Sequence, residues 1–351
     1  MNVVYIDTII FDLQRSGGIS VYWYEMIKRL LSDDEIEAHF IVSSAVKDNI
    51  FWDKLDLPQD RIIKYDKFLN RYRSVNYVEP RKHVFISSYY RCSKNKNATN
   101  ITVVHDFTYE YFSKGLRKTV HHWQKMSAIK KSKKVVCISQ NTRKDLNKFS
   151  KREINSIVAY NGISEAYRIM SDEEKNSALG AFDTQVREII NDGKYVLFVG
   201  QRGGYKNWRG AVETFKQLPI EYSMISVGGG EMSEIEKAFL GNDLERHYKL
   251  SNLLEEQLCL LYNNAYCLLY LSEYEGFGLP VAEAEQCGCP VMAMNRSSIP
   301  EIAQGSELVR LVDKIEPLPL DLKHGESRVK FSWDNTYTEI KKSCIEPYGE
   351  N

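Results

Sequence analysis

Short apolar runs punctuate this chain at regular intervals, and amphipathic stretches lie between them. The first run, MNVVYIDTIIF, is followed by the loop DLQRSGG and by ISVYWYEMIKRLLS, whose apolar residues recur at helical spacing. Strand, glycine loop and helix together form the opening unit of a doubly wound α/β domain. Further strands are predicted at 38–44 (AHFIVSS), 83–88 (HVFISS), 100–106 (NITVVHD) and 133–139 (KKVVCIS). Each carries a short apolar run, as expected of a parallel sheet covered on both faces.

The pattern then restarts. After the polar stretch SEAYRIMSDEEKNSALGAF come KYVLFVG (194–200), EYSMISVGGG (221–230), YCLLYLS (266–272) and CPVMAMN (289–295). We therefore expect two doubly wound, Rossmann-like domains facing an interdomain cleft. The first spans 1–165 and is joined by a C-terminal helix over 334–351. The second spans 190–333, and 166–189 is read as a linker.

Composition changes this picture little, because 43% apolar and 27% charged residues are ordinary for a soluble globular protein. Charge distribution changes it more. Residues 1–160 hold 28 Lys+Arg against 17 Asp+Glu, whereas 161–351 hold 19 against 30. An anionic partner for the first half is the simplest reading. The bias peaks over 111–144, with ten Lys/Arg, no acid, and Trp123 in its midst. Such a basic, aromatic stretch suits an anionic membrane surface, while a solvated helix face is the plainer alternative. Nucleic acid ranks last, since no recognised module accompanies the charge.

The seven cysteines lack zinc-site spacing and mostly sit in apolar context, which suggests buried thiols in a reducing compartment. No apolar run is long enough to span a bilayer, and the N-terminus lacks a signal-peptide pattern. The expectation is a cytoplasmic protein, with peripheral attachment to the inner face of the plasma membrane as the alternative.

Candidate chemistry clusters where strands end. In EYEGFGLPVAEAEQCG (273–288), Glu275 and Glu283 flank a glycine turn, and Pro280 fits the first position of a helix. A helix start there offers free N–H groups and a favourable dipole to an anion. Two carboxylates around such a turn suit a ligand with hydroxyls on either side of its phosphates, as in a nucleotide sugar. They are equally readable as a loop acid and a complement to the helix dipole.

VGQRGGYKNW (199–208) places Arg202 and Lys206 in a glycine-rich loop, a fork and a point charge suited to a diphosphate. Gly17 and Gly18 in SGGIS open a helix without β-carbons, so a phosphate or sugar can approach the backbone. His105 and Asp106 end the strand in TVVHDFTYE. No nucleophile elbow accompanies them, which excludes the familiar Ser-His-Asp hydrolase arrangement.

Taken in order, SGGIS, HDFTYEYF, CISQNTRKDL, AYNGIS, VGQRGGYKN and EYEGFGLPVAEAEQCGCPVMAMNRSSIPE resemble the family-4 retaining glycosyltransferases of the GT-B fold, mannosyltransferase-like and of bacterial surface-polysaccharide type. The resemblance covers essentially the whole chain. It implies that Arg202 and Lys206 bind the donor diphosphate and that Glu275 holds donor-sugar hydroxyls. Backbone amides of Phe277, Gly278 and Leu279 would meet sugar or phosphate, and Glu283 the ribose. Gly17 and Gly18 would approach the diphosphate, His105 the sugar near its reacting carbon, and Asp106 the acceptor side.

It further implies hexose transfer with retention, no metal and no permanently bound cofactor. The donor would be GDP-mannose or a UDP-hexose, and the acceptor a glycan, polysaccharide or polyprenyl-diphosphate-linked sugar, as in O-antigen, lipopolysaccharide or capsule assembly. A non-catalytic nucleotide-sugar-binding protein and a sugar-nucleotide epimerase on the same fold are the competing readings.

Overall fold

The structure, a computed structural model, describes residues 1–44 and 49–349. It divides into two compact units, Met1–Gly162 with Ser332–Asn351, and Ile163–Phe331. The last two residues of the C-terminal helix expected over 334–351 lie outside the described residues.

The first unit holds a seven-stranded sheet of β1 (Asn2–Asp7), β2 (Ile36–Val42), β3 (Ile62–Lys64), β4 (His83–Ser87), β5 (Ala98–Val104), β6 (Lys134–Cys137) and β7 (Ser156–Val158). Their order is β3-β2-β1-β4-β5-β6-β7, and every pairing is parallel. All residues of β1 and β4 are buried, as the unbroken apolar runs require. The chain reverses its direction of winding between β1 and β4. There Asp7, fully buried at the end of β1, pairs with Arg91 beyond β4, and Ser87 Oγ donates to the same carboxylate at 2.7 Å.

The C-terminal segment packs on this first unit. Asp334 accepts from Arg29 Nε at 2.7 Å, and Tyr337 donates to Asp33 at 2.7 Å. Gly162 permits the approach, since a Cβ there would lie 2.1 Å from the backbone nitrogen of Trp333.

The second unit holds β8 (Tyr195–Val199), β9 (Ser223–Val227), β10 (His247–Leu250), β11 (Cys267–Tyr270), β12 (Val291–Met294) and β13 (Val309–Val312). The order is β10-β9-β8-β11-β12-β13, again wholly parallel. One core cluster here joins Phe198, Trp208, Phe215, Leu269 and Met292.

The stretch 166–189, expected as a linker, belongs to this unit instead and carries helix Asp172–Leu179 and most of Thr184–Asp192. Ser171 closes the first with a capping box and Asp183 caps the second. Val186 and Ile190 are buried, so an acid-rich segment that reads as solvent-facing still supplies an apolar face.

Candidate active site

In an open parallel sheet, ligands bind beyond the carboxyl ends of the strands at the point where winding reverses. In the second unit that point lies between β8 and β11, which pair directly through Leu197 and Leu268. The loop after β8 carries Lys206 and the loop after β11 carries Glu275, so topology alone makes them neighbours.

Local structure then fixes each of them. After β8 the chain forms a single 3₁₀ turn, Gly204–Lys206, and Asn207 follows in the left-handed region with φ 53°. Its side chain accepts from the Gly210 N–H and caps helix Trp208–Phe215, whose buried Trp208 donates to Ser226 Oγ at 3.2 Å. Lys206 Nζ lies 2.8 and 3.0 Å from the carboxylate oxygens of Glu275 and 3.2 Å from the Tyr270 hydroxyl.

The Glu275 loop is held from β12's side. Its backbone N–H donates to Ser297 Oγ at 2.8 Å, and Ser298 Oγ donates to the carbonyls of Glu275 and Phe277 at 3.1 and 2.7 Å. Gly278 has φ 104°, and a Cβ there would meet Ile299 Cδ1 at 2.5 Å, so both backbone and space demand glycine. Helix Leu279–Gln286 begins immediately after it, with Pro280 second in the helix rather than first.

Glu283 in that helix accepts from the Tyr262 hydroxyl at 2.9 Å. Burial pushes its carboxyl up to about 7, outweighing the opposing hydrogen bond from Tyr262. Burial pushes the pKa of Tyr270 well up, and the nearby Glu275 and Glu283 carboxylates push it in the same direction. Tyr270 and Tyr262 thus join the two carboxylates, although sequence reasoning passed over them. Their only signal is position: Tyr270 is the last residue of β11.

Arg202 makes contacts that the sequence does not predict. Its side chain is only 1% exposed. Nε donates to Glu236 at 3.0 Å, Nη1 to the Gly228 carbonyl at 2.8 Å, and Nη2 to the carbonyls of Gly229, Gly230 and Glu231 at 2.8–3.1 Å. Glycines 228–230 all have positive φ, and a Cβ on Gly229 would lie 2.9 Å from Arg202 Nη1. The fork therefore organises the glycine loop after β9. A fork that matches phosphate oxygens also matches a row of carbonyls, and the sequence does not distinguish them.

The first unit holds the remaining predicted residues. Gly17, with φ 151°, precedes helix Gly18–Leu31, and both glycines are exposed. His105 lies buried at the end of β5 with Tyr22 of that helix edge-on at a ring distance of 4.9 Å. Its Nε2 is buried without a hydrogen-bond partner. Burial lowers its pKa to about 4, with Lys125 acting in the same sense and Asp106 opposing, so the imidazole is neutral at pH 7. Asp106 is half-buried and caps the next turn by accepting from the Thr108 N–H at 2.9 Å.

The basic run also takes shape here. Helix Gly115–Lys131 exposes Leu116 and Trp123, at 79% and 63%, on one face. Lys125 is instead fully buried, pairing with Glu110 at 2.9 Å and donating to the Asp106 carbonyl at 2.8 Å. Among the described residues no helix is long and apolar enough to cross a membrane.

Residues 181–312 match the family described as "Glycosyl transferases group 1". The O-antigen chain mannosyltransferase B of Escherichia coli is 30% identical over 167 residues, covering 41% of this chain and 44% of that protein. The chain spans about half the length of the curated relatives it matches. Anabaena Alr3699/HepE, solved in complex with UDP and glucose, superposes with a TM-score of 0.64 at 14% identity, covering 98% of this chain and 99% of that one. WaaG, a glycosyltransferase involved in lipopolysaccharide biosynthesis, superposes with a TM-score of 0.59 at 12% identity over 97% and 90%. Residues 181–312 thus match a group 1 glycosyl transferase domain, an O-antigen mannosyltransferase is among the chain's relatives, and the fold is GT-B.

Proposed function

We propose that the protein is a retaining, metal-independent hexosyltransferase, moving mannose from GDP-mannose to a glycan acceptor during surface-polysaccharide assembly. The Lys206–Glu275 pair at the winding reversal of the second sheet carries this reading. A donor diphosphate arriving beside Lys206 shares its ammonium and releases Glu275 to accept hydrogen bonds from the sugar hydroxyls. The start of helix Leu279–Gln286 adds a favourable dipole for negative charge developing on the leaving diphosphate. With Arg202 committed to the glycine loop, Lys206 is the principal side-chain cation for that group. Glu283, held by Tyr262, takes the ribose.

In the first unit we assign Gly17 and Gly18 to the phosphates, neutral His105 to the sugar and Asp106 to the acceptor side. The acceptor reading extends to a polyprenyl-diphosphate-linked glycan, with the Gly115–Lys131 helix laid on the anionic inner membrane surface. Exposed Trp123 and Leu116 support that docking. Charge reversal at Lys130, Lys131 and Lys133 should weaken binding to vesicles containing phosphatidylglycerol. Lys134 is left alone because its ammonium donates to the Ser343 carbonyl at 2.9 Å. Binding that survives the change removes the membrane part of the reading.

Thermal denaturation against GDP, UDP and their sugars tests the donor. A ligand at 100 times its Kd stabilises by about 2.7 kcal/mol. GDP and GDP-mannose should raise the melting temperature, and GDP should appear when GDP-mannose meets an acceptor extract. A flat response to every nucleotide rejects the proposal; selective stabilisation by UDP species reassigns the donor to a UDP-hexose.

A further inference from the structure

A cavity of about 360 Å³ opens in the first unit between the Asn70–Tyr72 turn and the first turns of helix Gly115–Lys131. That volume lies within the range of small-ligand sites. Arg71, Tyr72, Tyr109, Arg117, His121 and Gln124 contribute to its wall.

The chemistry of the wall is specific. Arg71 lies over the Tyr89 ring at 4.9 Å and donates to the Tyr89 hydroxyl at 3.0 Å. Arg117 lies over the Tyr109 ring at 5.3 Å and donates to its hydroxyl at 3.1 Å. Among the described residues neither guanidinium has a carboxylate partner, in contrast to Arg81 or Arg91. Tyr109 stacks on His121 at a ring distance of 3.9 Å, giving a broad aromatic platform.

Polar capacity is also left over. Arg71 Nε, Gln124 Oε1 and His121 Nδ1 are all buried without a hydrogen-bond partner. His121 Nδ1 sits 3.9 Å from Glu110, whose carboxylate is taken by Lys125. All three belong to residues that line the cavity, and buried polar atoms are ordinarily paired. The first turn of the helix contains no acid, so its positive end also faces this region uncompensated. Asp106, the residue assigned to the acceptor side, acts electrostatically on both His121 and Tyr89 and so lies close by.

We propose that this cavity binds an acceptor sugar that carries a phosphate, the ring resting on the Tyr109–His121 platform and the phosphate held between Arg71 and Arg117. Guanidinium forks suit phosphate oxygens, and tyrosine supplies apolar area with a hydroxyl at its edge. The proposal rests on the glycosyltransferase reading, because it names that enzyme's acceptor class. The phosphate could belong to a glycosyl phosphate at a lipid anchor or to a phosphorylated repeat unit, and both present the same chemistry.

Titration calorimetry of the full chain tests it with mannose, mannose 1-phosphate and mannose 6-phosphate. At least one phosphorylated sugar should bind tenfold or more tightly than mannose, with affinity falling as salt rises. Preference for the 1-phosphate indicates the anchor as source, and preference for the 6-phosphate indicates the repeat unit. Arg117→Gln should weaken that binding at least fivefold, and Arg71→Gln with it further, at unchanged melting temperature for the exposed Arg117 variant. Lys206→Ala, in the other unit, should leave it intact. Equal binding of mannose and its phosphates overturns the proposal, as does unaltered binding in the double variant or loss in Lys206→Ala. Failure of GDP and UDP to bind while Arg117-dependent sugar phosphate binding persists rejects the donor assignment alone.

Discussion

Lys206 Nζ contacts both carboxylate oxygens of Glu275, at 2.8 and 3.0 Å, across two loops separated by 69 positions in the chain. The two side chains are 18% and 10% exposed, so the pair is sheltered yet reachable. Lys206→Ala leaves Glu275 without its cation and, on the proposed function, the donor phosphate without a counter-charge. Sugar release from the nucleotide should fall by about 10²-fold, in the range seen when one electrostatic stabiliser is removed. Steady-state assay of nucleotide release measures it, and activity within a factor of two of wild type contradicts the assigned role.

Arg202 predicts a different signature. Its guanidinium ties Glu236 to the carbonyls of four successive residues, so Arg202→Ala leaves those carbonyls without their donor and Glu236 with Ser233 alone. A loss of about 3 kcal/mol is expected, and Arg202→Lys should not restore it because an ammonium cannot span the row. Urea unfolding reads the loss directly. Weakened nucleotide affinity at wild-type stability would instead return Arg202 to the diphosphate.

Gly278 offers a local test of the turn. Alanine there adopts φ 104° with its Cβ 2.5 Å from Ile299 Cδ1. Left-handed backbone strain alone costs about 1–2 kcal/mol, and the contact adds to it. Gly278→Ala should lower both the melting temperature and nucleotide affinity, since the turn places the start of helix Leu279–Gln286.

Glu283 gives a pH dependence. Burial raises its carboxyl from 4.5 to about 7, so between those values the folded protein binds the proton that the unfolded chain has lost. Its contribution is therefore fully present below pH 4.5 and is lost as pH rises through 7. Histidines 105, 121 and 247, each lowered by burial to about 4, work in the opposite sense, losing stability as pH falls from 6.5. The difference between wild type and Glu283→Gln isolates the carboxyl. Relative to the glutamine variant, wild type should lose up to about 3 kcal/mol between pH 4.5 and 7.5, measured by urea unfolding at each pH. Parallel stability curves for the two proteins refute the assignment.

The sequence by itself determined the interior of both sheets. Each strand read from an apolar run lies inside its sheet, where both faces are covered and apolar side chains are needed in succession. The four strands it did not reveal, β3, β7, β10 and β13, are the four sheet edges. They are three or four residues long and largely half-buried or exposed, so no apolar run marks them. The glycine turns and strand-end residues were also legible, because each depends on a backbone requirement local to a few positions.

Tertiary structure decided what local reading does not contain. Whether Arg202 meets a phosphate or a row of carbonyls depends on the loop after β9, whose glycines lie 26–28 positions away. That Lys206 meets Glu275 follows from β8 and β11 being paired, a choice made by strand order. Apolar burial selects which segments go inside, while long-range pairing selects which strand ends stand side by side, and the chemistry of this site depends on the second.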